Sequence, residues 1–182
     1  FGNILVAPIE VGETQLSAVV GDATRAFDFA IALQESAWPI PLRVAMVSVG
    51  HREGPAADRT GRARVLEALM EAEKTRMPFF FQFPGRSDSE TALAQAAAFL
   101  HATLMAEWTT TRAKAVRTYR ELGRQRDVAK KLHVSQQAVS QMLRGARLLE
   151  MAELESAMRE WLQTEKRPGL WPLKRFAKNP VD

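Results

Sequence analysis

The chain has 182 residues, of which 46% are hydrophobic and 25% are charged, and its formal net charge is +4. This length is enough for one domain with a core and a small second domain. The absence of cysteine excludes a disulfide framework and a thiolate nucleophile, and three histidines do not suggest a His-rich metal centre. No apolar run reaches the roughly 20 residues of a membrane helix. No secretory signal is visible, so we expect a cytoplasmic protein without a membrane partner.

The charge is divided unevenly along the chain. Residues 109–182 hold 16 Lys and Arg against 8 Asp and Glu, whereas residues 1–108 hold 9 against 13. A basic C-terminal part beside a mildly acidic N-terminal part indicates that the C-terminal part binds a polyanion, while the N-terminal part has another role.

Strand and helix signals alternate in the N-terminal half. Two strands are predicted around a turn at residues 11–13, the second of them over 15–20. Asp22 is the expected N-cap of a helix that ends near Ser36, before the prolines of WPIP. A buried central strand, a helix and a further strand follow at residues 42–50, 59–74 and 77–83. This order favours an α+β fold with helices on one face of a sheet.

From residue 87 onward only helix signals remain. Ser87 and Glu90 have the spacing of a capping box and begin a helix predicted over 88–108. The next helix begins at threonine caps and ends at Gly123, and an amphipathic helix is predicted over 148–165. We therefore expect an α+β domain, an all-α domain and an irregular tail, with the bounds 1–108, 109–165 and 166–182.

The region between these helices has the pattern of a helix-turn-helix. A helix over 124–132 is followed by a turn at 133–135, and Ser135 is the N-cap of a second helix that begins at Gln136. The predicted buried faces of the two helices consist of Val128, Ala129, Leu132, Val139, Met142 and Leu143. The alternative is an ordinary three-helix packing unit with a polar face.

Uncharged polar side chains occupy the exposed face of the second helix, where Glu and Lys are common. Those able to hydrogen-bond to base edges in the major groove are Gln136, Gln137, Ser140, Gln141 and Arg144. The candidates for phosphate contacts are Arg112, Arg117, Arg124, Arg126, Lys130, Lys131, Ser135 and Arg147, and further flanking positive charges are Lys114 and Arg120. We therefore predict that double-stranded DNA is the partner.

Two resemblances extend this interpretation. The motif resembles the helix-turn-helix of sigma-factor region four through Gln125-Arg126-Asp127-Val128-Ala129, Leu132, Val134-Ser135-Gln136 and Ala138-Val139-Ser140. Together with IEVGETQLSAVVGDATRAFDFAIAL, LRVAMVSVG and GPAADRTGRARVLEAL, it resembles the SatD family over most of residues 9–148. The SatD resemblance implies a shortened nucleotide-cyclase-like, ferredoxin-like domain before the helix-turn-helix, and so a transcriptional regulator that binds specific DNA sequences.

We do not expect the cyclase-like part to be an enzyme. Two-metal phosphoryl transfer requires two carboxylates, but Glu13 stands where the resemblance places Asp, and no earlier strand supplies the first carboxylate. Residues 57–59 replace the Asn that cyclases place before an Arg. We therefore predict no catalytic residue, metal or cofactor, and a domain that forms a homodimer or senses a nucleotide-like molecule. A nucleotide-binding or nucleotide-processing protein and a protein-interaction adaptor are the alternatives.

Overall fold

The computed structural model describes residues 5–6, 9–48 and 55–163, with residues 55–60 as backbone alone. Over these ranges the protein is a mostly helical α+β structure with seven helices and two small sheets. The elements in chain order are β1 Glu10–Val11, β2 Leu16–Ser17, α1 Ala23–Ala37, β3 Val44–Val47, α2 Pro55–Lys74, β4 Phe79–Gln82, α3 Asp88–Ala106, α4 Thr110–Leu122, α5 Gln125–Leu132, α6 Gln136–Gly145 and α7 Leu148–Gln163.

The predicted N-terminal hairpin forms, but it does not join the other strands. β1 and β2 pair antiparallel with Val11 opposite Leu16, and a single bridge joins Leu5 to Val20. Both strands are exposed, and Val11 is 80% exposed. A ribbon this short offers no buried apolar face that could pack with β3 and β4. The one sheet expected from the sequence is therefore two separate two-stranded sheets.

β3 and β4 form a parallel pair, with Val44 opposite Phe79 and Val47 opposite Gln82. Parallel neighbours require a crossover connection, and α2 supplies it while packing on both strands. The strand predicted as central over 42–50 is half-buried and pairs with β4 alone within the described ranges. Its last two positions, 49–50, lie outside those ranges.

The predicted starts of three helices are confirmed by their capping side chains. Asp22, Ser87 and Thr109 each accept a hydrogen bond from a backbone N–H in the first turn of α1, α3 and α4. Helix α4 ends as predicted at Gly123, whose φ of 71° is in the left-handed region that favours glycine. Helix α2 begins at Pro55, earlier than predicted, because proline suits the first turn of a helix.

Two apolar clusters form the interior. The first contains Phe27, Ala30, Ile31, Phe79, Phe81, Ala94, Ala98, Met158 and Trp161. The second contains Met105, Trp108, Ala113, Ala115, Val116, Val128, Ala129, Val139, Leu143, Ala146 and Met151. Helices α3 and α7 contribute to both clusters, so these two helices hold the N-terminal and C-terminal halves together.

The predicted domain division after residue 108 stays a prediction. Helix α7, which the sequence assigns to the C-terminal part, packs most extensively on α1 and also contacts α3 and α6. The predicted tail over 166–182 and the predicted helix end at 164–165 lie outside the described ranges. Among the helices of the described ranges, none is both long enough and apolar enough to cross a membrane.

Candidate nucleic-acid interface

A three-residue turn joins α5 to α6. Helix α5 ends at Leu132, and its C-cap is His133, whose φ of 54° is left-handed. A residue in this conformation redirects the chain sharply after a helix. Two residues later, the Ser135 hydroxyl accepts a hydrogen bond from the Ala138 N–H at 3.1 Å. The turn and the N-cap therefore lie where the sequence predicted them, and α6 begins at Gln136.

The faces that α5 and α6 turn toward each other and toward α4 are apolar. Val128 and Val139 are fully buried, and Ala129 and Leu143 are nearly so. Helices α4, α5 and α6 contact one another pairwise. The small side chain of Ala129 suits a close approach of helices, and tight interior packing fixes their relative position. The predicted buried faces are confirmed at these four positions, and the other two, Leu132 and Met142, are half-buried against the same cluster.

The opposite face of α6 presents the predicted base-contacting residues to solvent. Gln136, Gln137, Gln141 and Arg144 are exposed, whereas Ser140 is half-buried. Within the described part of the chain, the side chains of the four exposed residues make no hydrogen bond or ion pair. Positions 137, 141 and 144 have the i, i+4, i+7 spacing of one helix face. We call Gln137, Gln141 and Arg144 the polar strip; its donors and acceptors face water.

Most of the predicted phosphate-binding cations are also accessible. Those that are exposed and without an ion pair in the described ranges are Lys114, Arg117, Arg124, Arg126 and Lys130. Lys131 pairs with Glu121 at 2.7 Å and Arg147 pairs with Glu150 at 3.3 Å, in exposed positions. Exposed ion pairs contribute little free energy, so both cations can exchange their carboxylate for a phosphate.

Three of the predicted cations also contact other parts of the protein. The Arg112 guanidinium lies against α6, where a Cβ at Gly145 would come within 2.9 Å of Nε. Arg117 Nη1 donates to the Glu35 carbonyl at 3.3 Å, near the end of α1, and so caps that helix. Arg120 contacts buried carboxylates. Arg117 and Arg120 therefore each have a partner within the protein, and their predicted phosphate contacts stay predictions.

Trp108 attaches this helical unit to α3 and was not singled out by the sequence. Its ring is 5% exposed, and its Nε1–H donates to the Ala146 carbonyl at 3.0 Å, immediately after α6. The hydrogen bond fixes the end of α6 relative to the junction between α3 and α4. A tryptophan directly before the threonine cap of α4 is the local signal that could have indicated such a contact.

A charged cluster with three buried members and one partly exposed arginine joins α1, α3, α4 and α7. Arg120 donates to Glu35 at 2.7 Å and to both carboxylate oxygens of Glu155 at 3.0 and 2.6 Å. His101 Nε2 donates to Glu155 at 3.0 Å. The side chains of Glu35, Glu155 and His101 are 5%, 3% and 0% exposed, whereas that of Arg120 is 32% exposed. We call these four residues the Arg120 cluster. The sequence predicted Arg120 only as a flanking positive charge.

The two carboxyl groups of the cluster differ in pKa. Burial raises the pKa of Glu35 to about 7, because the loss of hydration outweighs the attraction of Arg120 and the Glu155 charge adds to the rise. Burial also acts to raise the pKa of Glu155, but hydrogen bonds from His101 and Arg120 outweigh it and lower that pKa to about 2. Glu155 therefore carries the negative charge that Arg120 neutralises.

Among the described residues, the structure does not bring together the positions that were compared with a cyclase site. Glu13 is exposed in the hairpin turn, and residues 57–59 lie in the part of α2 described as backbone alone. Arg62 of α2 pairs with Glu10 of β1 at 2.7 Å. In the parts of the chain that the structure describes, no group of three or more His, Cys, Asp and Glu side chains is arranged to hold a metal ion.

Comparison of the chain with protein-family models, with curated proteins and with solved structures found no match. The resemblances noted in the sequence therefore stay expectations. Any functional conclusion depends on the α5–α6 pair, the polar strip and the charges around them.

Proposed function

We propose that the protein is a DNA-binding transcriptional regulator whose α5 and α6 act as a helix-turn-helix, with α6 in the major groove. The polar strip carries this proposal. Its Gln137 and Gln141 can each bond to adenine through two atoms, and Arg144 can bond to guanine in the same way. These exposed side chains have no partner in the described part of the protein. Their donors and acceptors are therefore available for hydrogen bonds with base edges.

The charges around α6 support the same proposal. Arg124 and Arg126 lie at the start of α5, and Lys130 follows near its end. Cations on this helix can hold the backbone on either side of the groove, as phosphate contacts do in other DNA-binding motifs. The N-terminus of α6 places Gln136 and Gln137 first along the helix, and this is the end that approaches base edges in a helix-turn-helix.

For the N-terminal half we propose a cyclase-like, ferredoxin-like domain of the SatD kind, acting in the cytoplasm. The parallel β3–α2–β4 unit supports an α+β domain here. Its role would be to pair two copies or to sense a nucleotide-like molecule, since two DNA half-sites give the affinity that one small helix-turn-helix lacks. Metal-dependent turnover of ATP or GTP that Glu13→Ala abolishes would favour a nucleotide-processing enzyme instead.

The polar strip can be tested by selecting duplexes from a random-sequence pool. We expect an enriched motif, and we expect Gln137→Ala and Arg144→Ala each to weaken binding to it by about 1–3 kcal/mol. Gln82→Ala and Arg43→Ala are matched controls, because they remove the same side-chain types from exposed positions on β4 and before β3. Binding constants at fixed salt concentration, measured by fluorescence anisotropy, would compare the four variants.

Two outcomes would contradict sequence-specific recognition. Binding that weakens steeply with salt but enriches no motif would indicate phosphate contacts alone. No duplex binding at low salt would favour the adaptor, and the polar strip would then contact another protein.

Ser135 offers a separate prediction, because its hydroxyl both caps α6 and is a candidate phosphate ligand. Ser135→Ala is expected to lower the free energy of unfolding by about 1 kcal/mol through loss of the cap. Ser135→Asp should retain the cap and the stability but weaken duplex binding, since it places a carboxylate beside a phosphate. Urea unfolding and duplex titration of both variants would check this. Undiminished binding by Ser135→Asp would remove Ser135 from the interface.

A further inference from the structure

Two buried carboxylates in the Arg120 cluster share one guanidinium. The Glu155 carboxylate accepts three hydrogen bonds, two from Arg120 and one from His101. The Glu35 carboxylate accepts one, from Arg120 Nε. Ionising both carboxyl groups would leave excess negative charge in a poorly hydrated site, and such a site favours the neutral form of one group. Glu35, with fewer donors, is the group that gives up its charge.

The other charged groups around Glu35 do not replace Arg120 as partners for its carboxylate. The titratable and charged groups that line the cleft beside it are Arg25 and Asp28 from α1, Arg117 and Tyr119 from α4, and Arg159 from α7. Asp28 pairs with Arg159 at 2.8 Å and with Arg25 at 3.2 Å. Arg117 donates to the Glu35 main-chain carbonyl. Arg159 also lies 3.8 Å from Glu155.

We propose that the Arg120 cluster is a proton-dependent contact in which Glu35 is neutral while α1 packs on α7 and holds Arg120 of α4, and its ionisation loosens these contacts. The neutral carboxyl still accepts the hydrogen bond from Arg120 Nε through its carbonyl oxygen. When the proton passes to solvent, a second buried negative charge faces Glu155. Hydration of that charge draws Glu35 toward the cleft of about 640 Å³ that it lines and away from Glu155 of α7, and this loosens α1 from α7.

The direction of the pH effect follows from the pKa of Glu35. It is raised from 4.5 to about 7 in the folded protein, so the unfolded chain releases this proton at lower pH than the folded one. The contribution of Glu35 to stability is therefore complete below pH 4.5 and is lost as the pH rises through 7. For this group alone, the unfolding equilibrium constant rises about tenfold between pH 6 and pH 8. This pH dependence of the Arg120 cluster does not depend on DNA binding.

The experiment compares the full-length protein with Glu35→Gln and Asp28→Asn in urea at pH 6, 7 and 8. Glutamine has the shape of the neutral carboxyl, so Glu35→Gln should lack the tenfold rise that the original protein shows. Asp28→Asn removes a carboxylate from the same helix that pairs with Arg159 and Arg25. It should be less stable at every pH and keep the rise. An identical pH dependence in the original protein and Glu35→Gln would overturn the proposal.

Two further measurements keep the proposal testable if Glu35→Gln does not fold. Carboxyl ¹³C NMR of the original protein should show Glu35 titrating near pH 7, and a midpoint near 4.5 would overturn the proposal. Hydrogen exchange, corrected for its intrinsic pH dependence, should show α1 losing protection between pH 6 and pH 8 to a greater extent than α6. Equal losses in the two helices would contradict a loosening centred on α1.

Discussion

Glu155→Ala is expected to lower the free energy of unfolding by about 3 kcal/mol, because it leaves the partly exposed Arg120 and the buried His101 without their main acceptor. Arg120 would lose two of its three carboxylate hydrogen bonds, and His101 would lose the acceptor of Nε2. Within the described ranges His101 Nδ1 already has no hydrogen-bond partner. The imidazole ring would therefore keep no hydrogen bond. Urea unfolding at pH 7 measures the change.

Glu150→Ala is the matched control for this prediction. Glu150 lies on the same helix, α7, and pairs with Arg147, but both side chains are more than half exposed. Removing an exposed ion pair is expected to cost less than about 1 kcal/mol. If the two variants unfolded at the same urea concentration, burial of the Arg120 cluster would not be the source of its contribution.

Glu155 also predicts how acid acts on the protein. Its pKa is lowered to about 2 from the ordinary 4.5, so the stability that it contributes is present above pH 4.5 and is lost as the pH falls toward 2. The Glu155→Ala variant should not show this loss of stability as the pH falls from 4.5 toward 2.

Trp108→Ala is expected to lower the free energy of unfolding by about 3–5 kcal/mol, because it removes a buried indole from the second apolar cluster. Trp108→Phe keeps most of the ring but leaves the Ala146 carbonyl without the indole donor. A buried acceptor left unpaired costs about 1–3 kcal/mol, so the phenylalanine variant should be intermediate.

Thermal and urea unfolding of both variants would check these values. Phe99→Ala on α3 is the control, since Phe99 is 45% exposed and its loss should change stability by about 0.5 kcal/mol or less. If Trp108→Phe matched the original protein, the hydrogen bond to Ala146 would not contribute to the attachment of α6.

The features that the sequence predicted well are those that act within a few residues. Asp22, Ser87, Thr109 and Ser135 each cap a helix through an N–H two or three residues later, and Gly123 supplies the left-handed residue that ends α4. Such contacts leave a local pattern that spacing alone can identify. The polar strip of α6 was identified for the same reason, because its exposure follows from the helical period.

The features that the sequence did not predict depend on distant partners. Arg120 meets Glu35 across 85 positions and Glu155 across 35, and no local pattern distinguishes an arginine with buried partners from one that faces solvent. The sheet was mispredicted for a related reason. The strand propensity of the hairpin correctly indicated an extended chain. Which strands pair, however, depends on the faces that they bury, and neither face of β1 or β2 is buried.

The position of α7 has a consequence for synthesis of the chain on the ribosome. Met158 and Trp161 complete the cluster that also contains Phe27, and Arg159 reaches Asp28 across 131 positions. Helices α1 and α3 therefore emerge from the ribosome long before α7 does. The apolar faces that α7 covers stay exposed during this part of translation. Contacts between residues far apart in the sequence slow folding. A nascent chain that ends before α7 should therefore bind holdase chaperones, whereas a chain that includes α7 should not bind them.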